Sequence, residues 1–200
     1  MNTTQGTTSR LVTAIAVVSV LAFGATACSS DDGASADGAP SSVAPDPDKA
    51  LAALNSGLEA HAAGDLAAAT EFYNTTLEYD ATNQFAFYNL ALIDEANSNY
   101  GLAEDNYRAA LETDRKYGPA LFNLAILRTA SDDAEEAISL YERAVAVDKK
   151  DASAWLNLGL LLRANGEERA GDKDVLRALA LDPTLEDPKG EADSEGPGGP

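Results

Sequence analysis

Apolar residues recur along much of the chain at the three- and four-residue spacing of amphipathic helices. Between Phe85 and Ala96, for example, Phe87, Leu90 and Ala91 follow this spacing, which places them along one side of a helix. Similar stripes recur from residue 47 to residue 183, and no strand pattern competes with them. The pattern therefore predicts an all-α domain built from short amphipathic helices.

The helical pattern repeats at a constant interval along the chain. Its clearest marker is an asparagine at the same place in four units, namely Asn55, Asn89, Asn123 and Asn157, whose sequence numbers rise by 34 each time. Counted from five residues before each asparagine, the units are 50–83, 84–117, 118–151 and 152–185, and they align without an insertion. Small residues, a tyrosine or valine, and a closing aspartate also keep their places. The sequence therefore predicts four copies of one structural unit.

This period and its residue types resemble the tetratricopeptide repeat family. The fourth unit fits best, with Trp155, Leu158 and Gly159 at its start and Asp182-Pro183 at its end. The resemblance covers 50–185 and implies a right-handed superhelical solenoid of four helix-turn-helix units. Turn signals that supply caps and left-handed positions fall between the two helices of each unit, at Gly64-Asp65, Ser98-Asn99, Ser131-Asp132 and Asn165-Gly166.

The two ends of the chain have a different composition from the repeats. Residues 1–27 resemble a secretory signal peptide, whose apolar run of about fifteen residues is short for a membrane span. Ala25-Thr26-Ala27-Cys28 resembles the bacterial lipobox, which implies that Cys28 becomes the diacylated first residue; an ordinary cleavage site beside an incidental cysteine is the alternative. We expect a lipidated flexible tether over 28–46, the repeat domain over 47–183 and an acidic disordered tail over 184–200.

Charge limits the partners of this protein. The chain has 14 basic and 33 acidic residues and a formal net charge of −19. Such a surface repels nucleic acid and anionic lipid head groups, so neither is expected as a direct ligand. Membrane attachment would have to come from acyl chains on Cys28. The expected location is the outer face of the bacterial cell membrane, or the envelope if the cell has two membranes.

The sequence shows no arrangement of residues typical of catalysis. Its one histidine, His61, lies on the first helix without a nucleophile or carboxylate placed by a recognisable motif. Phosphate-binding and calcium-binding loops are also missing from the sequence, so we expect no enzyme activity, metal or cofactor. Asp94 and Arg128 occupy equivalent positions in adjacent repeats and are expected to form an ion pair.

A second face of each first helix lies a third of a turn or more from the packing face. The resemblance implies that this face lines the inside of the superhelix, and its large side chains are not expected to be needed for packing within a repeat. The expected peptide-binding residues are Asn55, Leu58, Tyr88, Asn89, Leu92, Phe122, Asn123, Ile126, Leu156, Asn157 and Leu160. Further expected neighbours on this face are Leu54, His61, Glu95, Thr129 and Arg163. We call this set the first-helix wall.

The wall suggests that the protein binds peptides. Amides both donate and accept hydrogen bonds, so they pair with a peptide backbone without reading its side chains. Asparagine ladders at this position hold extended peptides in related repeat proteins. The family's basic clamp on a terminal carboxylate is not expected, because Leu54, Leu58, Pro119 and Asn123 occupy its positions.

Several alternatives stay open at this point. The asparagines are equally compatible with bridging neighbouring helices, and the chain's own tail or a second copy would also fill the wall. The first functional hypothesis is a lipid-anchored adaptor that binds an extended segment of a partner protein. The second is a self-assembling envelope lipoprotein whose apolar surfaces mediate homo-oligomerisation. The third, an enzyme or small-ligand carrier, rests only on His61 and the apolar wall.

Overall fold

A computed structural model of the chain describes residues 43–188. In this range the chain forms eight α-helices and no strand, which confirms the predicted all-α fold. The helices are α1 (Pro47–Ala62), α2 (Leu66–Tyr79), α3 (Gln84–Ala96), α4 (Tyr100–Thr113), α5 (Gly118–Ala130), α6 (Ala134–Val147), α7 (Ala152–Ala164) and α8 (Glu168–Leu181). They pair in chain order into four hairpins, and the second helix of each hairpin also packs on the first helix of the next.

The predicted signal peptide, Cys28, most of the predicted tether and the end of the acidic tail lie outside the described residues. Among the helices within 43–188, none combines the length and the apolar character that crossing a membrane requires.

Aspartate and asparagine side chains begin most of the helices. At α1 the Asp46 carboxylate accepts a hydrogen bond from the backbone N–H of Lys49 at 3.1 Å. Asp65, Asn83, Asp133 and Asp151 make the same bond at α2, α3, α6 and α7. Each bond satisfies a backbone donor that has no partner within the helix, and such caps typically stabilise a protein by about 0.5–2 kcal/mol.

The turn inside every hairpin contains one residue in the left-handed region. These residues are Gly64 (φ +79°), Ser98 (φ +61°), Asp132 (φ +60°) and Gly166 (φ +89°), and they occupy the same position in their repeats. The left-handed positions predicted from the turn signals are therefore confirmed. Glycine adopts this conformation at no steric cost, whereas the side chains of Ser98 and Asp132 make it less favourable.

The aspartate that closes each repeat directs the chain into the following loop. The Asp148 carboxylate accepts a hydrogen bond from the backbone N–H two residues later, at 2.8 Å. Asp80, Asp114 and Asp182 do the same at 3.1, 2.9 and 2.9 Å. This turn fixes the exit of the second helix and explains why an acid recurs at this place.

The core of each hairpin consists of small residues around one large side chain. Ala69, Ala103, Ala137 and Gly171 are fully or almost fully buried, as are the larger residues Tyr73, Tyr107, Tyr141 and Val175. The small residues let the two helices approach closely. The approach is tightest in the fourth hairpin, where a Cβ atom added to Gly159 would lie 2.7 Å from the Gly171 carbonyl oxygen.

The expected ion pair between Asp94 and Arg128 does not form. Asp94 instead accepts a hydrogen bond from the Asn106 side chain at 2.8 Å. Arg128 pairs with Glu104 of α4 and lies 3.8 Å from Glu136 of α6. The second helices flank α5, so their carboxylates are nearer to Arg128 than the equivalent residue of the preceding first helix.

Residues 184–188, which the sequence analysis assigned to the acidic tail, contact the last hairpin. The two Asp187 carboxylate oxygens accept hydrogen bonds from the Arg163 guanidinium at 2.6 and 3.0 Å. Arg163 also donates to Asp172 of α8 at 2.7 Å. One guanidinium on α7 therefore holds both α8 and the segment that follows it.

Candidate functional site

The first-helix wall contains a row of aliphatic side chains, one on each first helix. These are Leu58, Leu92, Ile126 and Leu160, which hold the same repeat position on α1, α3, α5 and α7. Leu58 is 44% exposed and Ile126 is 40% exposed, while Leu92 and Leu160 are half-buried. We call this set the aliphatic row. It leaves apolar surface in contact with solvent in all four repeats.

The asparagines of the wall lie one helical turn before the aliphatic row, and their surroundings differ. Asn55 is exposed, and Asn89 donates to the Phe85 carbonyl oxygen of its own helix at 2.7 Å. Asn123 instead donates to the hydroxyl groups of Tyr88 at 3.3 Å and Tyr107 at 3.2 Å. Asn123 therefore bridges the second and third repeats through its amide nitrogen.

Asn157 of the fourth repeat contacts the third repeat in the same way as Asn123 contacts the second. Burial raises the pKa of Tyr141, and hydrogen bonds from Thr129 and Asn157 partly oppose that rise. Tyr141 precedes Asn157 by the same separation at which Tyr107 precedes Asn123. In these two repeats the asparagine thus contacts the buried tyrosine of the preceding hairpin, which is the bridging arrangement that the sequence left open.

Asn123 and Glu95 of the wall form a hydrogen-bonded network with the buried Tyr107 hydroxyl of α4. The Tyr107 hydroxyl donates a short hydrogen bond to the Glu95 carboxylate while it accepts one from Asn123. Burial and the Glu95 carboxylate both raise the pKa of Tyr107 well above its usual range. Burial also raises the pKa of Tyr117, to about 12, with a smaller contribution from Tyr88. Both phenols therefore stay protonated at physiological pH, and the Tyr107 hydroxyl donates to Glu95.

The aromatic residues of the wall take part in packing, contrary to the expectation that this face is free of it. Tyr88 packs against Tyr107 of its own hairpin, with ring centroids 5.8 Å apart, and against Tyr117 at 5.3 Å. Phe122 packs against Tyr141 at 5.9 Å. Both rings therefore contact the second helix of their own hairpin. The accessible wall is therefore narrower than the sequence predicted.

Other predicted neighbours on the wall also have structural contacts. Leu54 is only 8% exposed and belongs to the core. His61 lies with its Nδ1 atom 3.3 Å from the Tyr73 hydroxyl. Arg163 is held in the two ion pairs described above. The surface open to a ligand consists mainly of the aliphatic row, Asn55 and the half-buried Leu156.

A second concave surface, which the sequence analysis did not identify, lies between α4 and α6. It has a volume of about 950 Å³ and contains both cationic and apolar side chains. Its cations are Arg108, Arg115, Lys116 and Arg143, and its apolar residues are Leu111, Leu124, Leu140, Ala146 and Val147. We call this surface the α4–α6 groove. Its residues come from two neighbouring repeats and, apart from Glu112 and Ala146, hold different repeat positions, so alignment of the repeats alone does not bring them together.

Within residues 43–188, no group of three or more histidine, cysteine, aspartate or glutamate side chains is arranged to hold a metal ion.

Comparison with family models identifies repeats in the second half of the chain. A model described as "TPR repeat" matches residues 127–166, and one described as "Tetratricopeptide repeat" matches residues 152–185. Comparison with curated protein sequences gives no match.

Solved structures with a similar fold cover most of the described chain. MamA is 20% identical with a TM-score of 0.61, and the match covers 74% of this chain and 83% of MamA. The first TPR domain of Spaghetti (RPAP3), solved with an HSP90 peptide, is 24% identical with a TM-score of 0.57, over 61% of this chain and 97% of that one. PilF of Pseudomonas aeruginosa is 21% identical with a TM-score of 0.60, over 69% and 63%. Residues 127–185 therefore match tetratricopeptide repeat models, and the described part of the chain has the fold of a tetratricopeptide solenoid.

Proposed function

We propose that this protein is a lipid-anchored adaptor that binds an extended segment of a partner protein along its first-helix wall. The observation that carries this proposal is the aliphatic row, in which Leu58 and Ile126 remain 44% and 40% exposed. Apolar side chains that recur at one repeat position in four units are more than scattered surface residues, and exposed apolar surface arranged in this way usually has a partner.

The wall offers a partner both apolar contact and hydrogen bonding. Full burial of a leucine or isoleucine side chain is worth about 1.5–3 kcal/mol, so covering the exposed parts of Leu58 and Ile126 contributes about 1 kcal/mol each. Asn55 lies exposed beside this row, and the oxygen and nitrogen of its side-chain amide are both available to a peptide backbone. Among residues 43–188, no group donates a hydrogen bond to the Asn123 amide oxygen, so this oxygen also remains an acceptor.

A structural neighbour supports a peptide ligand by analogy. The Spaghetti (RPAP3) domain was solved with a bound HSP90 peptide. Shared fold alone does not transfer a ligand, so the proposal depends on the side chains of this wall. The wall resembles a peptide-binding surface in having apolar anchors with a small number of amide groups between them.

The membrane anchor in this proposal rests on the sequence. Cys28 follows an apolar leader and small residues, and it is the only cysteine in the chain. Diacylation of Cys28 would hold the repeats at the outer face of the cell membrane, since two acyl chains anchor a protein stably. We expect Cys28→Ser to move the protein from the membrane fraction to the soluble fraction. If the variant stays in the membrane fraction, the anchor is wrong and the wall proposal is unaffected.

Site-specific crosslinking in intact cells tests the wall. A photoreactive amino acid at Ile126 is expected to crosslink a partner protein, and the same residue at Leu102 serves as the control. Leu102 is 56% exposed on α4, away from the wall, so both replacements leave the core intact. The partner crosslink is expected only from Ile126, and an additional Leu58→Asp substitution is expected to weaken it.

Two results would contradict the adaptor proposal. Equal crosslinking from Ile126 and Leu102 would mean that the wall has no special affinity. Crosslinks from Ile126 that contain only copies of this chain would favour the self-assembling lipoprotein instead.

A further inference from the structure

The α4–α6 groove is lined mainly by α4, α6 and the segment after α4, with Leu124 of α5 at its floor, whereas the first-helix wall lies on α1, α3, α5 and α7. Its volume of about 950 Å³ is within the range of sites that bind several ligand groups at once. The two surfaces share no residue, so a ligand in the groove would not occupy the wall.

The floor of the groove is apolar. Leu111, Leu124 and Leu140 are at most 8% exposed and come from three different helices. Val147 is 45% exposed at the end of α6, where it offers an apolar contact at the mouth of the groove. The floor is therefore made of side chains that also belong to the core of the domain.

The rim of the groove is cationic in a protein whose net charge is −19. Four cations line it, against the two carboxylates of Glu112 and Glu136. Both Glu136 oxygens already accept hydrogen bonds from the Arg108 guanidinium, at 2.7 and 3.0 Å. Arg108 and Glu136 therefore neutralise each other. Of the residues that line the groove, only Glu112 remains to offset the positive charges of Arg115, Lys116 and Arg143. The groove therefore keeps a local positive potential.

Three of the four cations are available to a ligand. Arg143 donates from Nη2 to the backbone carbonyl of Arg115 at 3.2 Å, which holds its guanidinium at the edge of the groove. None of the ion pairs formed within residues 43–188 involves Arg115, Lys116 or Arg143. All three are exposed. They come from both elements that border the apolar floor, since Arg115 and Lys116 follow α4 and Arg143 lies on α6. A ligand that has acidic groups next to an apolar one suits this arrangement.

We infer that the α4–α6 groove binds an acidic segment of a partner protein in which carboxylates flank an apolar side chain. The guanidinium groups of Arg115 and Arg143 pair with carboxylates through charge-assisted hydrogen bonds, which are stronger than neutral ones. The apolar side chain contacts Val147 and the leucine floor. Nucleic acid is a poor fit, because the strongly acidic remainder of the chain repels it.

A labelled model peptide tests this inference with the full-length chain. The probe is a fluorescein hexapeptide with four glutamates around two leucines, and its binding is followed by fluorescence anisotropy. We expect binding that weakens as salt rises from about 50 to about 200 mM, since exposed charges are screened. The corresponding peptide with glutamines in place of glutamates is expected not to bind.

The repeat supplies a matched control for the groove. Arg115 and Lys116 stand at the same repeat positions as Lys149 and Lys150, which do not line the groove and are also exposed. Replacing the first pair (Arg115→Glu with Lys116→Glu) is expected to weaken binding about tenfold, since two charges that attract the glutamates of the peptide become two that repel them. The same change at Lys149 and Lys150 gives an equal change in net charge and is expected to leave affinity nearly unchanged.

Several outcomes would overturn the inference. Equal weakening by both pairs would show that the peptide responds to net charge alone, and failure of the unaltered chain to bind would remove the site. Binding that appears only after deletion of 189–200 would assign the groove to the chain's own acidic end. Displacement by inorganic phosphate at equal concentration would indicate a simple anion site. Ile126→Asp, which alters the first-helix wall, is expected to leave binding of this peptide unchanged. The test of the groove is therefore independent of the test of the wall.

Discussion

The close contact between α7 and α8 gives a sharp prediction about stability. Gly159→Ala adds a Cβ atom 2.7 Å from the Gly171 carbonyl oxygen and 2.8 Å from the Val175 backbone nitrogen. Both contacts are shorter than real Cβ atoms tolerate, and both involve backbone atoms of α8. No side chain can rotate to relieve them, so the two helices have to move apart.

The expected magnitude follows from two opposing effects. Alanine is a better helix former than glycine by about 1 kcal/mol. Overpacking of a tight core costs about 1–3 kcal/mol, and the upper end applies here because backbone atoms resist displacement. We therefore expect Gly159→Ala to lower the free energy of unfolding by about 2 kcal/mol. For a domain of this size that loss corresponds to a decrease in Tm of about 4–8 °C.

Gly101→Ala is the matched control. Gly101 is also a helical glycine, at the second residue of α4, but an added Cβ atom meets nothing within 4 Å. This substitution is expected to raise stability by about 0.5 kcal/mol, because alanine restricts the unfolded chain. Thermal unfolding followed by circular dichroism measures both variants. If Gly159→Ala is as stable as the unaltered protein or as Gly101→Ala, the packing argument for the fourth hairpin is incorrect.

Two further predictions concern pH and the carboxyl end of the domain. Five tyrosines have raised pKa values in the folded chain, namely Tyr73, Tyr88, Tyr107, Tyr117 and Tyr141. As the pH rises, the unfolded state therefore loses the tyrosine protons first, near pH 10. We expect the free energy of unfolding to be unaffected below about pH 10 and to fall above it by up to about 1.4 kcal/mol per tyrosine and pH unit. Urea unfolding across this range measures the loss, and a free energy that stays constant to about pH 11 would contradict the burial of these phenols. Asp187→Asn is expected to cost about 1–2 kcal/mol because it removes the carboxylate bound to Arg163, whereas Glu186→Gln is expected to be neutral. Equal midpoints for these two variants in urea would contradict a structural role for the 184–188 segment.

Local signals in the sequence were sufficient to predict the helices and turns. Gly64 and Gly166 lie where the chain needs a left-handed residue, and Ser98 and Asp132 fill the same place in the other two hairpins. A residue of this kind influences mainly its own neighbours in the chain, so its effect is visible in sequence. The strict period, without insertions, then extended each local assignment to all four units.

Contacts between repeats were harder to predict, because residues at equivalent positions do not face each other. The Arg108–Glu136 ion pair and the Arg143–Arg115 hydrogen bond each span 28 residues, and the Arg128–Glu104 pair spans 24. The expected Asp94–Arg128 pair assumed a separation of one full repeat. Neighbouring helices are staggered, and long side chains bridge the offset. The same stagger explains why the α4–α6 groove was not predicted.

The first-helix wall was predicted only in part from the sequence. Periodicity correctly placed Leu58 and Ile126 on an exposed face, but it gave no information on the direction of aromatic side chains. Tyr88 and Phe122 turn toward the second helix of their own hairpin, where tyrosine rings are buried. The sequence therefore indicated which face of each first helix forms the wall, whereas the hydrogen bond between Tyr107 and Asn123 became visible only in the structure.

The contacts at the start of α1 determine how the domain responds to tension. The Asp46 N–H donates to the Tyr79 carbonyl at 3.1 Å, and the Lys49 ammonium lies 5.2 Å from the centre of the Tyr79 ring. A force applied to the chain before Asp46 therefore acts first on the junction of α1 and α2. Because each repeat contacts only its neighbours, such a force opens the first hairpin before it reaches the second and third. The first hairpin would unfold and absorb the extension, while the α4–α6 groove and the central tyrosine network keep their shape.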